Sequence, residues 1–174
     1  MLVNSPPCQA LELPWRTLPG YHCFGCCEAN PAGLALRFKV EGDALVCAFQ
    51  TDRRHESYPG VIHGGIGVTL LDELMGNALA LREHKLCFTV GMRTRFLAPL
   101  RTHQPYHALA RVVERPAQEE GLFKVEGEVL DDQRHPVLMA TATYQWMTRS
   151  QAKTFFSHDP AGSPELLRYF RRDP

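Results

Sequence analysis

The stretch from Gly64 to Glu83 constrains the fold of this chain more than any other. Gly67, Leu70, Leu71, Leu74, Ala78 and Leu81 recur at helical spacing, and Val68, Met75 and Leu79 carry the apolar surface around most of the girth. A helix that is apolar on nearly all sides must be buried. Arg82, Glu83, His84 and Lys85 mark its solvent end. Such a helix needs a wrapping layer, and the rest of the chain supplies mainly strand signals. Ahead of it, Leu34–Val40 alternates apolar and polar residues, and Ala44–Gln50 follows across the Glu41-Gly42-Asp43 turn. Behind it, Cys87–Ala98, Tyr106–Glu114, Leu122–Leu130 and Val137–Met147 read as strands. Short connections among these last four favour antiparallel pairing. The expected fold class is α+β, an antiparallel sheet of about six strands around one long central helix.

With 174 residues, the chain is long enough for one ordinary domain. Residues 1–20, with four prolines, read as an irregular lead-in; residues 21–148 hold the domain. Residues 149–174 form a C-terminal extension with a short amphipathic helix at Pro164–Arg172. Lys and Arg number 19, as do Asp and Glu. This balance speaks against a general nucleic-acid binder, which carries a basic excess. The longest uncharged run, Ser57–Leu71, is too short and too glycine-rich to span a membrane. Met1–Cys8 has neither basic residues nor an apolar run, so no secretory signal is expected. The expected location is the cytoplasm, with the six cysteines reduced.

Chemistry concentrates at His63-Gly64-Gly65 and in the helix that follows. Two glycines at a helix start expose backbone N–H groups where the helix dipole is positive, which suits a carbonyl oxygen gaining charge. Glycine also serves there as a plain cap or for close packing. Asp72 has Val68, Thr69, Met75 and Gly76 as helical neighbours. A carboxylate in that setting is costly unless paired or used in catalysis. Glu73 projects about 100° away and reads as a solvated or structural charge. Gly64 and Asp72 are separated by roughly 12 Å along the axis. One carbonyl cannot touch both on the same helix, so a catalytic role for both predicts a homodimer with shared sites.

Four segments together resemble the hotdog-fold thioesterases of the phenylacetate-pathway (PaaI) type: Cys23-Phe24-Gly25-Cys26 with Asn30-Pro31 and Gly33-Leu34; Tyr58-Pro59-Gly60-Val61-Ile62-His63-Gly64-Gly65; Leu71-Asp72-Glu73-Leu74-Met75-Gly76; and Phe96-Leu97-Ala98-Pro99. The resemblance covers residues 21–147. It implies the hotdog fold, assembly as a homodimer or dimer of dimers, and hydrolysis of an acyl-CoA or acyl-carrier-protein thioester. It assigns the oxyanion donor to the Gly64 N–H, the general base or nucleophile to Asp72 of the other subunit, and water placement to Thr89. His63 and Gly65 belong to the substrate-binding loop. Ser57 stands where many relatives carry Asn.

Arg93 and Arg95 share one strand face by the two-residue period. They suit coenzyme A phosphates or a solvated face. Cys23-x-x-Cys26-Cys27 lacks the second cysteine pair of a standard zinc site, and no sequence feature lowers its thiol pKa, so no metal is expected. Cys47 and Cys87 read as buried apolar thiols, and Arg168, Arg171 and Arg172 as solvated surface. No cofactor is expected beyond coenzyme A as part of the substrate. Two rivals remain: a non-catalytic acyl-CoA-binding module, and a dehydratase, which needs His and acid facing one carbon.

Overall fold

The computed structural model describes residues 11–157, 159 and 163–173. Half of the expected lead-in, residues 1–10 with Cys8, lies outside the described residues. Eight strands and three α-helices follow in the order β1 (Lys39–Glu41), β2 (Ala44–Phe49), β3 (Glu56–Tyr58), β4 (Val61–Ile62), α1 (Gly64–Glu83), β5 (Cys87–Phe96), β6 (Tyr106–Glu114), β7 (Leu122–Leu130), β8 (Pro136–Trp146), α2 (Arg149–Phe155) and α3 (Pro164–Leu167). Six strands form one antiparallel sheet in the order β1-β2-β6-β7-β8-β5. The sheet packs around α1, as the helix's nearly uniform apolarity requires.

Leu70, Leu71, Leu74, Met75, Ala78 and Leu79 are fully enclosed, against Leu45, Ala110, Val125, Val129 and Leu138 from the sheet. Gly127 lets the helix come close: a Cβ there would stand 3.1 Å from the Met75 sulfur and 3.2 Å from Leu71 Cδ2. Burying a Leu or Met side chain is worth about 1.5–3 kcal/mol, so this one face supplies much of the driving force. Among the described residues, no helix is long and apolar enough to cross a membrane.

Three local differences from the sequence reading have physical causes. Leu34–Phe38 does not join the sheet, because its backbone is engaged elsewhere: Leu34 N–H donates to the Phe24 carbonyl, Leu36 N–H to Gly25, and the Phe38 carbonyl accepts from Leu11. Only Lys39–Glu41 pairs with β2. The C-terminal helix is shorter than expected, Pro164–Leu167. Beyond it, Arg171 N–H donates to the Met147 carbonyl and the chain bridges to Thr148. Helix α2 was not anticipated, although Thr148-x-x-Gln151 is a capping box. Met147, Ala152, Leu166, Tyr169 and Phe170 then form a second small core. Arg171, read as solvated, is mostly covered and pairs with Glu120 at 2.5 Å.

Candidate active site

The short β3–β4 hairpin delivers the chain to the start of α1. His63 N–H donates to the His55 carbonyl and Ile62 N–H to Leu100, which fixes the entry. His63 is the N-cap: its Nδ1 accepts from Gly65 N–H at 3.0 Å, and its carbonyl accepts from Ile66 N–H. Capping therefore uses the Gly65 N–H. Among the described residues no group accepts from the Gly64 N–H. That leaves one N–H at the positive end of a 20-residue helix to meet an external oxygen. Ser57 lies exposed on β3, in the hairpin ahead of this point.

Two turns along α1, Asp72 meets the far end of the sheet. Thr89 Oγ1 donates to Asp72 Oδ1 at 2.7 Å, and the Tyr144 hydroxyl donates to the same oxygen at 3.2 Å. Among the described residues no donor reaches Oδ2. Burial first, then the Asp72 charge, push the Tyr144 phenol above its ordinary range, so it is a neutral donor. The contact between Thr89 and Asp72 depends on an irregularity in β5. Arg93 pairs with Thr141 and Gly91 with Thr143, both on the outer face. The register then shifts between Thr89 and Gly91, and Thr89 pairs with Tyr144. By simple alternation Thr89 would face outward with Arg93 and Arg95. The extra residue, Val90, turns it towards the helix, as a β-bulge re-aims a side chain.

Asp72, Thr89 and Tyr144 line a cavity of about 280 Å³ together with Cys23, Glu73 and Cys87. Gly64, Gly65, His63 and Ser57 do not line it, so within one chain the two halves of the expected site stay apart. Arg93 and Arg95 are exposed on the outer sheet face, in a separate groove where Arg111, Glu126 and Glu128 interleave their charges. Tyr144 went unrecognised in the sequence because a strand tyrosine reads as core. Its buried hydroxyl, which needs a partner, was the available signal.

Two readings of single residues are corrected. Of the two readings of Glu73, solvated or structural, the solvated one fails: it lies under the 21–33 loop, bonded to Cys23 and Asn77, and burial first, then Cys23, raise its carboxyl to about 7. The thiol pair is perturbed as well. The Cys26 hydrogen bond, followed by backbone N–H groups, favours the Cys23 thiolate and lowers it to about 5. Burial raises Cys47 and Cys87 to about 12, as apolar surroundings do.

Comparison with known proteins gives a consistent picture. Residues 59–137 match the family model of the thioesterase superfamily. No curated protein sequence matches the chain. Among solved structures, a thioesterase superfamily protein is 17% identical with a TM-score of 0.65, over 71% of this chain and 62% of that one. A Streptococcus mutans protein bound to acetyl CoA is 18% identical with a TM-score of 0.58, over 64% of this chain and 88% of its own. The E. coli PaaI protein of the phenylacetic acid degradation operon is 16% identical with a TM-score of 0.58, over 64% and 83%. At these identities the structural likeness establishes the shared hotdog fold.

Proposed function

We propose that this chain, whose residues 59–137 match the thioesterase superfamily, hydrolyses an acyl-CoA or acyl-carrier-protein thioester to a free acid and a thiol. The observation that carries this reading is the convergence of Thr89 and Tyr144 on Oδ1 of Asp72 at the cavity wall. Two donors fix the carboxylate in orientation, and Oδ2 is left to act. A binding module needs no oriented acid there.

Asp72 supplies the electron pair in either of two routes. As a base it takes a proton from water while the water oxygen attacks the thioester carbon. As a nucleophile it attacks that carbon itself, giving a mixed anhydride that water then cleaves. In both, the C–S bond breaks and the thiolate leaves to be protonated. The Gly64 N–H of a second copy receives the developing oxyanion, a contribution of about 3–4 kcal/mol for one such donor. A positioned base adds roughly 10²–10⁴ in rate. The Thr89 hydroxyl, donating to Asp72, keeps lone pairs that accept from the water. His63 and Gly65 hold the Gly64 loop in shape. Ser57 bonds the substrate near its carbonyl, and Arg93 and Arg95 offer cations to coenzyme A phosphates.

The edge of the sheet supports shared sites. Strand β5 ends the strand order and is exposed along most of its length, with Val90 at 52% and Phe96 at 55%. An open edge of 10 residues invites pairing with another strand. A homodimer, or a dimer of dimers, is the assembly we expect.

The test is thiol release from a panel of short, long and aromatic acyl-CoAs, with wild type beside Asp72→Asn. Turnover that falls by about a hundredfold or more in the variant supports the assignment. Saturable binding without turnover by any panel member, unaffected by the substitution, overturns it.

A further inference from the structure

Beside the Asp72 cluster, the loop of residues 21–33 and helix α1 bring two thiols and a carboxylate together. Cys23 Sγ, Cys26 Sγ and a Glu73 oxygen all lie within 4.8 Å of one another. Cys23 Sγ stands 3.5 Å from each Glu73 oxygen. In a tetrahedral zinc site with Zn–S near 2.3 Å and Zn–O near 2.0–2.2 Å, a sulfur and an oxygen ligand sit about 3.5 Å apart. The observed spacing fits that edge of the tetrahedron.

The surroundings orient the three groups as a metal's outer partners do. Gly25 N–H donates to Cys23 Sγ at 3.3 Å, across the tight Cys23-Phe24-Gly25-Cys26 turn. Asn77 Nδ2 donates to Glu73 Oε1 at 3.0 Å and holds the carboxylate in place. Gly25 is required by close approach: a Cβ there would fall 2.5 Å from Glu73 Cγ and Cδ. The loop thus opens a slot that the helix carboxylate enters.

Charge is the second argument. Three ionisable acids crowd one half-buried spot, and their hydrogen-bonding neighbours among the described residues are neutral. These are Gly25 N–H, the Asn77 amide and the Tyr21 hydroxyl, which lies 2.7 Å from Cys26 Sγ. Arg16 reaches the loop, but its Nη2 bonds the Cys26 carbonyl at 3.1 Å and Glu28 at 3.4 Å. Buried charge of one sign is costly unless paired or bound to a metal. Two thiolates and a carboxylate match the ligand types of zinc. The cavity wall includes Tyr21, Cys23, Glu73 and Asn77, so solvent reaches the cluster and can complete a fourth position.

We propose that Cys23, Cys26 and Glu73 bind one Zn²⁺ ion, with water as the fourth ligand, tying the 21–33 loop to α1. The three ligating groups deprotonate on binding, and no redox step is involved. Zinc binding here requires nothing of thioester hydrolysis, so it stands or falls separately.

The experiment is metal analysis of the full chain purified under reducing conditions, followed by cobalt(II) titration. The expected result is about one zinc per chain, and a cobalt form with a thiolate-to-metal charge-transfer band and the visible bands of tetrahedral geometry. Cys23→Ser and Cys26→Ser should each weaken binding by at least about a hundredfold, and Glu73→Gln by about ten- to a hundredfold. Cys27→Ser should leave binding unchanged, because that thiol donates to the Tyr21 carbonyl instead. A wild-type readout covers the case of variants that fail to fold: zinc should protect two thiols from a thiol-titrating reagent. Wild-type protein without bound zinc, without the cobalt bands and without thiol protection overturns the proposal. So does a folded Cys23→Ser variant that keeps the full cobalt spectrum.

Discussion

Replacing Gly64 by Pro tests the oxyanion donor with little disturbance of the fold. Gly64 is the first residue of α1, a position where proline is favoured because the N–H makes no intrahelical bond. The preceding residue, His63, has φ −58° and ψ 132°, the extended conformation that proline demands of its predecessor. The His63–Gly65 cap does not involve the Gly64 N–H and survives. A Cβ at position 64 would stand 3.4 Å from the Phe96 ring, an ordinary contact. Proline in place of glycine also restricts the unfolded chain, a gain of about 0.4–1 kcal/mol. Stability should therefore hold or rise slightly while one donor disappears. Losing such a donor costs about 10²–10³ in kcat, or about 2.7–4 kcal/mol. The assay is kcat/KM for thiol release on the best acyl-CoA, with a melting curve for each protein. Gly64→Ala is the control, keeping the N–H and adding the same Cβ, and it should stay within about tenfold of wild type, about 1.4 kcal/mol. Two results refute the reasoning. Wild-type kcat/KM in Gly64→Pro would remove the Gly64 N–H as the donor, and an equal loss in Ala and Pro would assign the effect to crowding against Phe96.

Two further outcomes follow from the same geometry. Tyr144→Phe removes one of two donors on Asp72 and leaves the buried ring in place. A hydrogen bond to a charged group is worth about 1.5–3 kcal/mol, so kcat/KM should fall by roughly ten- to a hundredfold with KM little changed; unchanged kinetics would remove Tyr144 from the machinery. Val90→Asp puts a charge on the exposed edge of β5, where a second copy is proposed to pair. Sedimentation should show wild-type dimers or tetramers and a shift to monomer in the variant, with activity falling in parallel; a fully active monomer would rule out shared sites.

The central helix was legible in the sequence because its pattern admits one outcome. An apolar surface around most of the girth at Gly64–Glu83 is stable only inside a wrapping layer, and α1 has those same bounds. Alternation at Leu122–Leu130 and β-branched and aromatic content at Val137–Met147 likewise located β7 and β8. The 34–40 segment failed for a reason alternation does not encode: its backbone groups bond the 21–33 loop, and only side chains leave a periodic signal. The α2 cap was present as Thr148-x-x-Gln151, but its payoff depends on Leu166, Tyr169 and Phe170 arriving from the chain's end.

The sequence by itself determined that the chain has one buried helix, strands to enclose it, a glycine start and an acid in an apolar stretch. These are local or periodic properties, and each residue carries its share of them. Tertiary structure alone decided which groups meet. The register shift at Val90 turns Thr89 from the face of Arg93 and Arg95 towards Asp72, beside Tyr144. Folding the 21–33 loop over α1 sets Cys23 and Cys26 against Glu73, a carboxylate the spacing alone left as either solvated or structural. Both outcomes rest on strand register and loop docking, which are fixed by packing across the whole domain rather than by any one segment.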